Sequence, residues 1–136
     1  MIRCVGAIVH DREGRLLLIL RGHEPGRGLW SLPGGRVEKD ETDEQAVARE
    51  LLEETGLSVR SGALVGRVER PAPAGVYEIF DYACTVLGGT PRPGDDADDV
   101  AWVGPAEFER LAEHGQLVAE LAETLREWNA LPRQAP

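Results

Sequence analysis

One stretch restricts the fold more than any other: residues 35–57, GRVEKDETDEQAVARELLEETGL. A turn-forming Leu-Pro-Gly-Gly (32–35) leads into it, and the pattern then changes to a helical period. Thr42-Asp43-Glu44-Gln45 fits a capping box, with Thr42 as N-cap and Gln45 reaching back. Val47, Ala48, Leu51 and Leu52 predict an apolar stripe facing the core, and Gly56 supplies a left-handed terminator. Against that regularity, Glu50, Glu53 and Glu54 crowd the last two turns. The macrodipole disfavours negative charge there, and Glu50 and Glu54 repel at i, i+4.

At about 100° per residue the three glutamates fall within an arc of about 100° beside the stripe, with Ala46 leaving room on the same side. Hard oxygen donors converging with one arginine, Arg49, as helical counter-charge are what Mg²⁺ or Mn²⁺ requires, and the cation would relieve the repulsion. A solvated glutamate-rich face is the alternative reading.

The surrounding pattern is of strands with a few helices. Val5 to Val9 and Leu16 to Leu20 read as two strands joined by a hairpin at His10–Gly14. A loop over 21–28 precedes a short strand, Leu29 to Leu32. Strands are expected near 63–70 and 76–87, joined by a Pro-rich turn, and at Val100 to Val103 after the polar loop GGTPRPGDDADD. Helices are expected over 105–112 and 117–129, and ALPRQAP reads as a frayed tail. This order predicts an α/β fold, a mixed sheet covered by helices on both faces. One domain over 1–130 is expected, with 131–136 as a flexible tail.

A net charge of −9 argues against a nucleic-acid surface built on phosphate neutralisation, but a polyphosphate can bind if divalent cations bridge the like charges. No apolar run approaches the ~20 residues of a membrane span, and the N-terminal segment lacks a secretory pattern, so a cytoplasmic location is expected. Cys4 and Cys84 match no metal or redox spacing and read as buried strand residues. His10, His23 and His114 read as surface or turn residues.

Residues 35–57 resemble the Nudix box, G-x5-E-x7-R-E-U-x-E-E-x-G-U with U aliphatic. Gly35, Glu41 and the run Arg49-Glu50-Leu51-Leu52-Glu53-Glu54-Thr55-Gly56-Leu57 match every fixed position. The resemblance extends over about residues 2–130 and implies an α/β/α sandwich that hydrolyses nucleoside diphosphates linked to a further group, with Mg²⁺ or Mn²⁺. By motif position Glu50, Glu53 and Glu54 would hold metal, Gly35 would offer its carbonyl, and Glu41 would pair with Arg49 to hold the loop. Asp40 departs from a glycine found in many members.

The base could come from the box, where Glu50 is the first choice, or from the later loop GDDADD (94–99), where Asp96 is the candidate ligand or base. Glu38 could also reach the metals. Arg21 could hold a terminal phosphate bidentately, or be a turn arginine. Trp30 and Tyr77 could stack on a base, or serve the core. Pro73, 16 residues beyond Leu57, is similar to a proline noted in ADP-ribose pyrophosphatases of the family, so an ADP-ribose-like substrate is favoured. The alternative is a (d)NTP pyrophosphohydrolase of the MutT kind, and the rival from another class is a non-catalytic nucleotide-sensing module. The oligomeric state is open between monomer and homodimer.

Overall fold

A computed structural model describes residues 1–94 and 96–136; Asp95, inside the acidic loop, lies outside the described residues. The strands are β1 (Ile2–Val9), β2 (Leu16–Arg21), β3 (Trp30–Ser31), β4 (Gly34–Arg36), β5 (Ser58–Ala72), β6 (Gly75–Gly88) and β7 (Ala97–Val103). The helices are α1 (Asp43–Thr55), α2 (Pro105–Glu113) and α3 (Leu121–Glu127). The strands form a mixed sheet in the order β4-β1-β6-β5, with β1 and β6 parallel, and a smaller antiparallel sheet, β3-β2-β7. Val5, Ala7 and Val9 of β1 pack with Val47 and Leu51 of α1 in one core cluster. Ile8, on the opposite face of β1, packs with Leu121 and Leu125 of α3 in a second. The expected α/β/α sandwich is the architecture formed.

The hairpin expected between β1 and β2 shrinks to a single bridge, His10 with Leu16. Beyond it β1 pairs with β4 and β6, while β2 pairs with β3 and β7. Both strands are buried over consecutive residues rather than alternate ones, as strands covered on both faces must be. Such strands lie inside a layer and cannot stay together as an isolated ribbon.

α1 begins at the capping box read from sequence, with Gln45 N donating to Thr42 Oγ1 at 3.1 Å and Thr42 N to Gln45 Oε1 at 2.9 Å. It ends at Gly56 with φ 74°. Its buried face differs from the expected stripe. Ala46, Val47, Leu51, Glu54 and Thr55 are buried, whereas Ala48 is exposed and Leu52 is 57% exposed. The helix is rotated so that its inner arc runs from Ala46 to Thr55, which brings a glutamate inward.

The helix expected over 117–129 starts only at Leu121. Trp30 N donates to Gln116 O (2.8 Å) and Val118 N to Trp30 O (3.0 Å), holding 116–118 extended against β3. Glu120, at φ 67°, then turns the chain into α3. The tail is not frayed at its start. Ala130 and Pro132 are buried, Arg133 N donates to Gly14 O at 2.8 Å, and His10 Nε2 lies 3.1 Å from Ala130 O. His10 is thus a half-buried clasp rather than a turn residue. Cys4 and Cys84 are buried free thiols on β1 and β6.

β5 and β6 exceed the expected lengths, and β5 absorbs the excess in bulges near Leu64. At Gly66 of β5 a Cβ would come within 2.3 Å of the Trp128 indole, so this glycine lets α3 lie flat on the sheet.

Candidate active site

Three local features carry the C-terminal half of α1 to the edge of the mixed sheet. Arg3 donates twice to Asp43, each bond 2.8 Å, and Tyr82 Oη donates to the same carboxylate, tying the helix N-terminus to β1 and β6. At the other end Arg92 N donates to Thr55 O (2.9 Å) and Gly94 N to Glu54 O (3.1 Å). The loop bearing Asp96 therefore uses carbonyls that a helix end leaves unpaired. Between them β4 passes over the inner arc, where Gly34 N donates to Glu54 Oε1 at 2.7 Å.

Glycine is required at both contacts of β4. A Cβ on Gly35 would lie 2.5 Å from Glu50 Oε1, and one on Gly34 would lie 2.1 Å from Val5 O. The Glu50 and Glu54 carboxylates can therefore approach the strand backbone closely. A third glycine, at position 94, is as restrictive, because a Cβ there would come within 1.6 Å of Glu53 O. Gly94→Ala is expected to detach the 92–97 loop from α1 and lower kcat by about tenfold or more, since ~1 Å displacements at a site carry that penalty. Steady-state kinetics alongside a thermal melt checks it; unchanged kcat would show that the loop position is immaterial to turnover.

Glu54 is 5% exposed. Burial pushes its carboxyl up to about 8, opposed by the Gly34 N–H, reinforced by Glu50 and opposed again by Arg21. Burial likewise raises Glu50, against the pull of Arg49. Glu53 is half-exposed on the outer side. Arg49 has more partners than its expected one. Its guanidinium grips Glu41 through Nε (2.7 Å) and Nη2 (2.9 Å), and Nη2 also donates to Arg36 O at 3.0 Å. Nη1 meets Glu50 Oε1 (3.0 Å) and Glu53 Oε2 (3.2 Å), with Glu38 at 3.5 Å. Glu41 in turn accepts from Glu38 N at 2.9 Å, and Arg49 holds its carboxyl below the ordinary range.

The donor chemistry suits a hard divalent cation: two desolvated carboxylates and a third beside them on one helix edge. Among the described residues no three acidic, histidine or cysteine side chains are gathered closely enough to enclose one. Arg49 Nη1 occupies the point toward which Glu50 and Glu53 turn, so a cation would exchange with that guanidinium for their oxygens.

The remaining sequence candidates are dispersed. Asp96 is exposed, 3.4 Å from His23, and its carbonyl accepts from Gly22 N at 3.1 Å. Its charge still reaches Glu50 and Glu54, raising both. Arg21 Nε donates to Pro25 O, and its charge acts on Glu54. Trp30 packs on the α3-side core. Tyr77 lies on the opposite sheet face from α1, with Arg36 5.7 Å above its ring. Asp40 adopts φ 66°, the left-handed conformation that a glycine would take without strain.

Cross-strand register reveals residues that linear spacing does not. Ile2 faces Tyr77, Gly6 faces Asp81, Arg70 faces Tyr77 and Gly66 faces Asp81, so Arg70, Tyr77, Ile79 and Asp81 share a face with Gly6 and Arg36. Arg70 Nη2 approaches Thr124 Oγ1 at 3.5 Å, so the middle of α3 lies against this face. A signal for Asp81 exists in the sequence, an acidic residue inside the apolar strand IFDYAC, but nothing local says what faces it.

A sandwich that aims desolvated carboxylates past a glycine strand, with arginines along the adjoining trough, is the framework of a hydrolase acting on phosphorus-containing anhydrides. The NUDIX domain model matches residues 2–127, and the chain belongs to that family of pyrophosphohydrolases. It is 39% identical over 127 residues to a putative 8-oxo-dGTP diphosphatase 2 of Mycobacterium tuberculosis, spanning 88% of this chain and 86% of that one. It is 34% identical over 113 residues to an ADP-ribose pyrophosphatase of Methanocaldococcus jannaschii, spanning 81% and 67%. Among solved structures, a MutT protein from Methanosarcina mazei Go1 superposes with a TM-score of 0.81 at 25% identity, over 94% of this chain and 92% of that one. No helix among the described residues is long and apolar enough to cross a membrane.

Proposed function

We propose that this protein is a nucleoside triphosphate pyrophosphohydrolase of the MutT kind, dependent on Mg²⁺ or Mn²⁺. The observation that carries the metal-dependent part is the pair Glu50 and Glu54, desolvated against Gly35 and Gly34 with their protonation favoured by burial. Bound cations supply neutralisation of the phosphate oxygens and acidification of the attacking water. Glu50, Glu53, Glu54 and the Gly35 carbonyl hold them in this reading. Glu50 accepts the water proton, and Arg21 binds the terminal phosphate. Glu41 and Arg49 fix the strand that carries Gly35. Asp96 and Glu38 stay at the rim, adding negative charge.

The ADP-ribose reading is retained as second, supported by the Methanocaldococcus relative. The sequence pointer to it weakens once the hairpin is seen. Pro73 and Ala74 are the two turn residues between Ala72 and Gly75, exposed at the tip, and a proline there has a turn-forming reason to be present. A relative that matches 88% of this chain and 86% of its own length, a putative 8-oxo-dGTP diphosphatase 2, bears a triphosphate-type name.

A product-resolved panel decides between them: the four dNTPs, the four NTPs, ADP-ribose and a dinucleoside polyphosphate, each with Mg²⁺, Mn²⁺ or excess EDTA. The expected result is nucleoside monophosphate and pyrophosphate from triphosphates, and no turnover in EDTA. Efficient cleavage of ADP-ribose with idle triphosphates would replace the first reading by the second. Undiminished rates in EDTA would remove the metal mechanism.

A further inference from the structure

α1 turns its glutamates to one flank, and its other flank is apolar and bare. Ala48 and Leu52 are exposed there. Residues four apart are neighbours on a helix surface, so Glu44, Ala48, Leu52 and Gly56 form a single ridge along it. Ala48 stands two residues before Glu50 and therefore about 200° round the helix from it. The ridge and the carboxylate edge look in different directions.

The sheet beside α1 continues the apolar surface. Val86 pairs with Val59, and Leu64 pairs with Tyr82. Val59 and Tyr82 pack in the α1-side core, which places Val86 and Leu64 on that side of the sheet as well. Both are exposed, and β5, the edge strand, lies against α1. Leu52, Leu64 and Val86 together leave more aliphatic surface on one side than isolated exposed side chains would.

The ends of the ridge say what covers it. Glu44 is exposed in the first turn of α1. At the other end a Cβ on Gly56 would lie 2.9 Å from Arg92 Cγ and 3.2 Å from its Nε. The exposed Arg92 side chain thus fills the place that Gly56 leaves empty. The ridge runs acid, small, large, base. Turned end for end and laid against a copy of itself, it matches at each step: Glu44 meets Arg92 of the second copy, and Leu52 enters the gap over Ala48. A two-fold axis produces that match, because each contact then occurs twice with the roles exchanged.

We propose that the ridge Glu44, Ala48 and Leu52, closed by Arg92, docks a second copy of this chain, with the two α1 helices antiparallel across a two-fold axis. Leu64 and Val86 extend the contact onto the sheet. A net charge of −9 on each chain opposes association at long range, so the two Glu44–Arg92 contacts fix the register while the apolar ridge supplies the attraction. Both carboxylate edges stay open to solvent in this dimer.

Sedimentation velocity of the full chain in EDTA tests it from about 1 to about 500 µM, since an interface of this modest size associates in the micromolar range. A reversible monomer–dimer equilibrium is expected. Leu52→Glu should weaken the dimer roughly tenfold or more, as loss of a central anchor does, while the melting temperature of the monomer and kcat per chain stay near wild type. Glu44→Arg and Arg92→Glu each set like charges opposite one another twice over. Each should weaken the dimer roughly threefold or more, and both together in one chain should restore it. Thermal melts show which variants are folded. A monomer mass over the whole range would overturn the proposal. So would a dimer that Leu52→Glu and the single reversals leave intact, because its interface would lie elsewhere. Folded single reversals that the double exchange does not rescue would overturn it too.

Discussion

Glu54→Gln is expected to lower kcat by ~10²-fold or more while making the metal-free protein more stable at alkaline pH. Both effects have one cause. Burial lifts the Glu54 carboxyl from an ordinary value of 4.5 to about 8, so the folded protein resists the charge that the proposed metal site needs. An acid whose pKa is raised on folding binds more protons folded than unfolded between those two values. Its contribution to unfolding free energy therefore falls as pH rises from about 4.5 to about 8, and the full penalty persists above that. The shift corresponds to something on the order of 3–5 kcal/mol at most. Gln removes the titration and can still accept from Gly34 N, the bond now 2.7 Å long. Thermal melts in EDTA at pH 5 and pH 9 check this: wild type should lose stability between them, and the variant much less. A lower melting temperature for the variant at pH 9 would make Glu54 a structural residue. Added Mg²⁺ should stabilise the wild type selectively at the higher pH.

Arg49→Ala is expected to reduce both stability and kcat, because its guanidinium ties together four groups. It pairs bidentately with Glu41, touches Glu50 and Glu53, and holds the Arg36 carbonyl next to Gly35. Glu41 is 13% exposed at its side chain and would be left with an uncompensated charge, which costs about 1–3 kcal/mol for a partly buried pair. Glu41→Gln should show a smaller loss of the same kind, and the double variant less than the sum. Chemical denaturation of the four proteins measures the coupling. Additivity within ~0.3 kcal/mol, with KM raised and stability unchanged in Arg49→Ala, would instead assign the guanidinium to the substrate's phosphates. Lys is not an adequate replacement, since one ammonium cannot make the planar two-point contact with Glu41 while reaching Arg36 O.

What could be read from the sequence was what is local in the chain. The Thr42 cap, the Gly56 stop and the Glu41–Arg49 spacing each involve residues at most eight apart, so pattern and geometry coincide. The depth of Glu54 could not be read that way, because it depends on β4 crossing the helix, and β4 is placed by its pairing with β1. Apolar periodicity put Leu52 inside and left Glu54 beside the stripe; the sheet chose the neighbouring arc. The parting of β1 from β2 was equally invisible, since their true neighbours, β6 and β7, lie far along the chain. Arg70 and Asp81 become neighbours of the site only through strand register, which one-residue bulges in β5 can reset.

The clasp between the first turn and the last residues has a further meaning for how this molecule comes apart. His10 and Gly14 hold carbonyls and an amide that lie some 120 positions away, among the longest loops that this chain can close. Closing so long a loop is entropically expensive and is rewarded by few bonds, so this join should form late in folding and open early in the native state. Amide exchange at Arg133 should then run ahead of exchange in β1 and β6. Loosening at that join leaves α1, with its glutamates, under its own Thr42 cap.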